Sequence, residues 1–244
     1  MKKLLWLLLV TGLVEPAAYA IPLSLNGNYT VVGNVEITPS GGNPVDADFS
    51  DTSPPTSLLG SANLDATVDP TLKSTAFASA QTDNGFLSTD IELSSSNQEN
   101  NFGFAAAEFS TLFTAPGGKL QLSLLFDNQA EATGTNSQVE TQLHFTLSSN
   151  GPLLDEMLQV TGDDLRKQQP IERTLELAEG TFVNLDILLT STGNVSDGGS
   201  FDLSSVSFQL DQVPEPATLL NLLAGLSLLA YGRVRCKSAS QRFV

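Results

Sequence analysis

Few side chains in this sequence could act as nucleophiles, bases or soft metal ligands, and their spacing narrows what it can catalyse. There is one histidine, His144, and one cysteine, Cys236. With no cysteine between residues 21 and 213, neither a Cys/His dyad nor a zinc site of the usual nitrogen and sulfur ligands can be assembled there within one chain. His144 lies in "VETQLHFTL" between Gln142 and Thr146, on the polar side of an alternating segment. No G-x-S-x-G elbow accompanies it, so a surface histidine fits better than a Ser/His/Asp triad. Carboxylates abound, with 25 acidic against five basic residues between 21 and 213. A pair suffices for glycoside hydrolysis, but among so many a useful separation arises by chance. Asp155-Glu156 and Asp163-Asp164 read as solvated turns, and no G-x-x-x-x-G-K-[ST] or G-x-G-x-x-G loop is present to cradle phosphate.

Oxygen-only coordination is the remaining metal chemistry, and calcium is the ion it suits. Two acidic stretches could supply it: "DADFSD", with Asp46, Asp48 and Asp51, and "SDGGSFD", with Asp197 and Asp202. Neither completes the EF-hand pattern, so a structural calcium is the most that is expected, and no other cofactor is. Sugar binding commonly uses Trp and Tyr as stacking surfaces. Residues 21–213 hold only Tyr29 and twelve phenylalanines, expected in the core, which leaves a glycan site to Asn, Asp and backbone groups. Nucleic acid and acidic polymers are excluded as partners by the negative charge, because phosphate binding needs clustered Lys and Arg.

The elements that must position these groups are strands. In "KLQLSLLF", Leu120, Leu122, Leu124 and Phe126 share one face. In "VETQLHFTL", Val139, Thr141, Leu143, Phe145 and Leu147 share another. "NYTVVGNVEI", "FLSTDIEL", "AAAEFSTLF", "VNLDILL" and "SVSFQL" alternate likewise, separated by turn-forming clusters such as "APGG" and "SSNG". The fold expected is all-β, an antiparallel sandwich of jelly-roll type, in one domain of residues 21–213. Residues 38–61 are expected as a long loop because of their prolines and glycines, and Leu153, Leu154, Met157 and Leu158 suggest a short helix within 152–170. With its cysteine outside, the domain has no disulfide to stabilise it.

Both ends read as targeting segments. Lys2 and Lys3 precede an apolar run from Leu4 to Val14, and Ala18-Tyr19-Ala20 supplies the small-x-small pattern read by signal peptidase. Residues 1–20 are thus a signal helix, cleaved before Ile21, that exports the chain by the general secretory route. At the other end, Val213-Pro214-Glu215-Pro216 with Thr218 is followed by an apolar stretch and then Arg233, Arg235, Lys237 and Arg242. This arrangement over residues 214–244 resembles the PEP-CTERM sorting signal of exported proteins in Gram-negative bacteria. The resemblance implies processing by exosortase, a membrane-embedded transpeptidase-like enzyme, and a destination at the cell surface or in an extracellular matrix rich in exopolysaccharide, often in biofilms.

The physical chemistry of the segment suits that reading. Ala217–Tyr231 would make about 22 Å of helix at about 1.5 Å per residue, a short transmembrane helix over about 217–232 helped by snorkelling arginines. The basic residues stop transfer on the cytoplasmic side, which leaves the acidic domain outside the inner membrane in a tethered intermediate. Prolines on both sides of Glu215 keep the motif extended, as a peptide entering an active-site groove must be. The expected function is that of a non-enzymatic exported protein with a structural or adhesive role. A membrane-anchored module that binds carbohydrate or is stabilised by calcium is the alternative, with a glycosidase third.

Overall fold

Period-two alternation becomes thirteen strands among the residues described by the computed structural model, which are 20–39, 43–53, 58–65, 73–81, 85–95, 99–134, 136–162 and 165–213. The strands are β1 Ile21–Pro22, β2 Asn28–Pro39, β3 Val45–Ser53, β4 Leu58–Asp65, β5 Lys73–Gln81, β6 Phe86–Ser95 and β7 Glu99–Thr114. They continue with β8 Gly118–Thr133, β9 Ser137–Ser149, β10 Gly151–Thr161, β11 Leu165–Leu177, β12 Phe182–Val195 and β13 Gly198–Val213. No described residue is helical, and among them no helix is long and apolar enough to cross a membrane. The segment expected as a signal, through Tyr19, and the tail from Pro214 lie outside the described residues.

Two antiparallel sheets form. One runs β11-β8-β13-β6-β5-β4, with β1 also pairing to β13, and the other runs β10-β9-β12-β7-β2-β3. Strands β6 to β13 alone give the orders 11-8-13-6 and 10-9-12-7, so each strand faces its sequence neighbour in the opposite sheet. That eight-stranded arrangement is a jelly roll, and β2–β5 widen both of its sheets along one side. The core follows from the alternation. Phe126, Phe145, Leu122, Leu143, Leu185 and Ile187 are fully buried between the sheets, each contributing about 1.5–3 kcal/mol of burial.

Two expectations are corrected by this architecture. Among the described residues of 152–170 none is helical: β10 and the start of β11 occupy them. The apparent helical spacing arose because Glu156 interrupts the inward series Leu154, Leu158 and Val160, whose registry partners are Leu147, Leu143 and Thr141. Arg173 of β11 answers that inward charge by a two-point hydrogen bond to Glu156 that closes the open edge between the sheets. The guanidinium also holds the Glu156 carboxyl below its ordinary range. Residues 38–61, expected as loop, hold the end of β2, all of β3 and the start of β4. Both β3 and β4 are edge strands, where sparse apolar content and charge are tolerated.

Two turns lie back to back at one end. Gly134 (φ 97°) precedes β9 and Gly198 (φ 109°) opens β13. A Cβ on Gly134 would lie 2.0 Å from the Asp197 carbonyl oxygen, and one on Gly198 would lie 2.0 Å from that of Thr133. Ser137 Oγ donates to both carbonyls, at 2.8 Å to Thr133 and 3.1 Å to Asp197. Gly198→Ala is therefore expected to lose more than about 2 kcal/mol, combining a positive-φ penalty with a backbone clash. Gly180→Ala, at φ 80° in open space, should lose only about 1 kcal/mol. Urea unfolding of the two variants checks the difference.

Candidate functional site

The acidic groups read from the sequence do not converge. Asp46 and Asp48 are exposed on the outer face of β3, opposite Glu36 and Asn34 of β2. Asp51 has the opposite phase, opposite Val31, and accepts the Thr52 amide at 2.8 Å. "DADFSD" is thus an edge strand and not a chelating loop, because period-two geometry sends its acids to opposite faces. Asp197 sits in the turn between β12 and β13, whereas Asp202 is five residues into β13 and fully buried. Among the described residues no group of three or more His, Cys, Asp or Glu could hold a metal. His144 is half-exposed on the outer face of β9 and bonds Asp155 Oδ1 at 2.8 Å. Ala20 is exposed just before β1, and Val213 is the last residue of β13. Ala18, Pro214, Glu215, Pro216, Thr218, Arg233, Arg235 and Lys237 lie outside the described residues.

A better-formed surface lies on the outer face of the β10-β9-β12-β7-β2-β3 sheet. Strand β12 sends Phe182, Asn184, Asp186, Leu188, Thr190, Thr192 and Asn194 outward, while Val183 through Val195 alternate into the core. Phe182 is 67% exposed and Leu112 of β7 is 66% exposed, although large apolar groups at strand positions are expected inside. Asn184 pairs directly with Leu112, and Phe182 with Thr114, so the two apolar groups lie diagonally on one patch. Beside them runs a polar ladder in which Ser110 Oγ and Asn184 Nδ2 both donate to Asp186. A depression of about 460 Å³ between β9 and β12 is lined by Leu112, Phe182, Asn184, Ser148, Asn150 and Thr181.

The far end of the same face repeats the combination. A second depression of about 460 Å³ is lined by Glu140, Gln138, Thr161, Thr192 and Asn194. Asn194 pairs with Phe102, another partly exposed aromatic. From Phe182 to Asn194 the face spans about 40 Å at about 3.3 Å per residue. The twelve phenylalanines are thus not all core: Phe109, Phe126, Phe145 and Phe208 are buried, whereas Phe182 and Phe102 reach solvent. The sequence carried a signal for Phe182. It stands directly before the alternating "VNLDILL" in the outward phase.

Inside the sandwich, the core has a polar layer. Asp202 and Ser204 of β13, Asn128 of β8, Thr141 of β9, Ser191 of β12 and Thr89 of β6 are all buried. Thr141 Oγ1 donates to the Asp202 carboxylate at 2.8 and 2.9 Å, and Ser204 Oγ lies 3.0 and 3.2 Å from the same two oxygens. Asn128 Nδ2 donates to Asp202 Oδ1 at 2.7 Å, Ser191 adds a further bond, and Thr89 meets Ser191 at 2.6 Å. Burial pushes the Asp202 carboxyl above its ordinary range, against the pull of these hydrogen bonds.

No protein-family model matches the sequence, and the search of curated proteins found no match. Solved structures with some likeness include the carbohydrate-binding module TmCBM61 in complex with β-1,4-galactotriose. It is 10% identical, covers 63% of this chain and 86% of its own, and has a TM-score of 0.27. The adhesin domain of Epf from Streptococcus pyogenes is 8% identical over 65% of this chain and 60% of its own, with a TM-score of 0.26. The CBM22-1 xylan-binding domain of Xyn10C from Paenibacillus barcinonensis is 10% identical over 73% of this chain and 86% of its own, with a TM-score of 0.19.

Proposed function

We propose that this chain is an exported, non-catalytic adhesive domain that holds neutral polysaccharide along the outer face of its six-stranded sheet. The observation that carries the reading is the juxtaposition of exposed Phe182 and Leu112 with the Ser110–Asp186–Asn184 ladder. A sugar ring presents an apolar face and a rim of hydroxyls, and this patch offers a partner for each. Recurrence of Phe with Asn some 40 Å away suits a chain-like ligand that engages several points, each weak alone. The acidity of the domain repels anionic polymers, which selects neutral ones. Delivery to such a matrix is the role the PEP-CTERM resemblance assigns to the tail, with exosortase as the processing partner.

Affinity electrophoresis of the mature protein in gels containing neutral polysaccharides tests the reading. Retardation by at least one of them is expected, and Phe182→Ala should weaken it at least tenfold. Leu203→Ala, on the outer face of the opposite sheet and 46% exposed, should leave it unchanged. Migration unaffected by every neutral polysaccharide, or lost equally in both variants, would remove the patch from consideration.

A further inference from the structure

Charge is divided unevenly between the two sheets, and the division falls on the face already assigned to polysaccharide. All five basic residues between 21 and 213 lie on strands of one sheet: Lys73 on β5, Lys119 on β8, and Arg166, Lys167 and Arg173 on β11. The strands of the other, β10-β9-β12-β7-β2-β3, hold ten Asp and Glu and no Lys or Arg. Arg173 reaches across to Glu156 at one edge, and His144 bonds Asp155 beside it. Towards the opposite edge, carboxylates meet carboxylates: Glu36 of β2 is the direct cross-strand partner of Asp46 of β3. Like charges placed so destabilise a sheet, and a partner of opposite charge relieves them.

Aromatic groups stand among these carboxylates. On β7, Gly103 points into the core, where a Cβ would lie 2.9 Å from Ile91 and 3.0 Å from Leu93, so Phe102 and Phe104 face outward. Phe102 lies between Asn194 of β12 and Glu36 of β2, and Phe104 between Thr192 and Asn34. One strand further out are Glu140, paired with Thr192, and on the other side Asp46 and Asp48, paired with Glu36 and Asn34. An ammonium is drawn to the face of an aromatic ring and to a carboxylate alike, and this end of the face offers both. Among the described residues no group of three or more acids could hold a single metal ion. The complementary charge is therefore one spaced along a chain.

Resting on the reading of this face as a polysaccharide site, we infer that the polymer it takes is an amino-sugar chain in which a minority of units carry a free, protonated amine. Uncharged units lie on Phe182, Leu112 and the Asp186 ladder. Ammonium groups lie at the far end, among Phe102, Phe104, Glu140 and Glu36. Gln138, Thr192 and Asn194 beside them line a depression of about 460 Å³ and supply partners for hydroxyls, which favours a sugar chain over a basic peptide. A chain charged at every unit fits less well, because the Phe182–Leu112 end offers it an apolar surface.

Isothermal titration of the mature protein with soluble N-acetylglucosamine oligomers of one length, either fully acetylated or half deacetylated, tests this in mildly acidic buffer of low ionic strength. The deacetylated oligomer is expected to bind at least tenfold more tightly, with the advantage lost in high salt, which screens exposed charges. Glu36→Gln combined with Glu140→Gln should bring the two oligomers to equal affinity. The melting temperature of that variant should not fall, since Glu36→Gln relieves the repulsion from Asp46, so its lost preference is not unfolding. Glu172→Gln, exposed on the other sheet, should keep the preference in full. Equal binding of both oligomers by the unaltered protein would overturn the inference and leave the face a site for uncharged chains. So would a preference that survives in the double variant or disappears in Glu172→Gln. Binding of neither oligomer, with a neutral polysaccharide still retarding the protein in gels, would overturn this inference alone, whereas loss of both kinds of binding would take the polysaccharide reading with it. Polylysine bound more tightly than the deacetylated oligomer would assign the face to a basic protein instead.

Discussion

Lowering the pH from 7.5 to 5 is expected to raise the melting temperature by several degrees, and Asp202→Asn to remove most of that rise. An unfolded aspartate titrates at about 3.9. In the folded chain burial displaces the Asp202 carboxyl upward, and the bonds from Ser191, Thr141, Ser204 and Asn128 offset this only in part. The folded state therefore holds the proton more tightly. Stability is full below about pH 4 and is lost as the pH climbs through the folded value. Each unit of upward displacement costs about 1.4 kcal/mol at neutral pH, or about 3–6 °C for a domain of this size.

Other charges fix the window for that measurement. Asp90 on β6 is displaced in the same direction by burial and by Glu92 and Asp202, so it adds to the rise. Glu156 has the opposite sign: its pairing with Arg173 stabilises the fold above the ordinary value of 4.5 and is lost as the pH falls. Both partners are partly exposed, which keeps that contribution small, and a scan that stops at pH 5 avoids it. Self-repulsion of a chain with net charge −16 also eases on acidification, but it does so equally in Asp202→Asn. The difference between the two proteins thus isolates one carboxyl. A melting temperature that falls from pH 7.5 to 5, or a rise kept in full by Asp202→Asn, would show that the buried carboxylate is not the penalty it is argued to be.

The sandwich was legible wherever the apolar phase ran unbroken. Leu120 to Phe126 and Val139 to Leu147 were assigned to the correct face because one side of each strand had to leave water. The polar core was legible too, had the same phase been extended. Running back from Leu210, Phe208 and Val206, it passes through Ser204 and Asp202, and running on from Phe126 it reaches Asn128. Asp202 reads instead as a turn ligand, because acid beside glycine is the commoner pattern of a loop. What no single strand could reveal was pairing across the sandwich. Glu156 reads as a solvated turn residue until Arg173, from the opposite sheet, gives it a reason to face inward. The outer patch at Phe182 and Leu112 depends likewise on the registry of β7 with β12, which sequence separation conceals.

That registry also bears on the tail. Val213 is the last residue of β13 and is paired with Lys119, while Gln212 is paired with both Leu120 and Ile21. The two points at which processing is expected, before Ile21 and within 214–216, therefore adjoin the two ends of the folded domain. Removal of both segments would leave every strand pairing among the described residues in place. Intact mass of protein from the cell surface is expected to show loss of residues 1–20 and of the chain beyond about 214–216. A variant with Pro214, Glu215 and Pro216 all changed to alanine should retain every residue to Val244. The effect is expected to be close to all-or-none, because the substitution removes every residue of the Pro-Glu-Pro motif on which the resemblance to a sorting signal rests. The melting temperature of the domain should be the same in both forms, since the motif follows the last paired residue among those described. If both forms reach Val244, the tail is an anchor and not a sorting handle. A mass ending inside β13 would place the cut within the sheet and overturn the boundary itself.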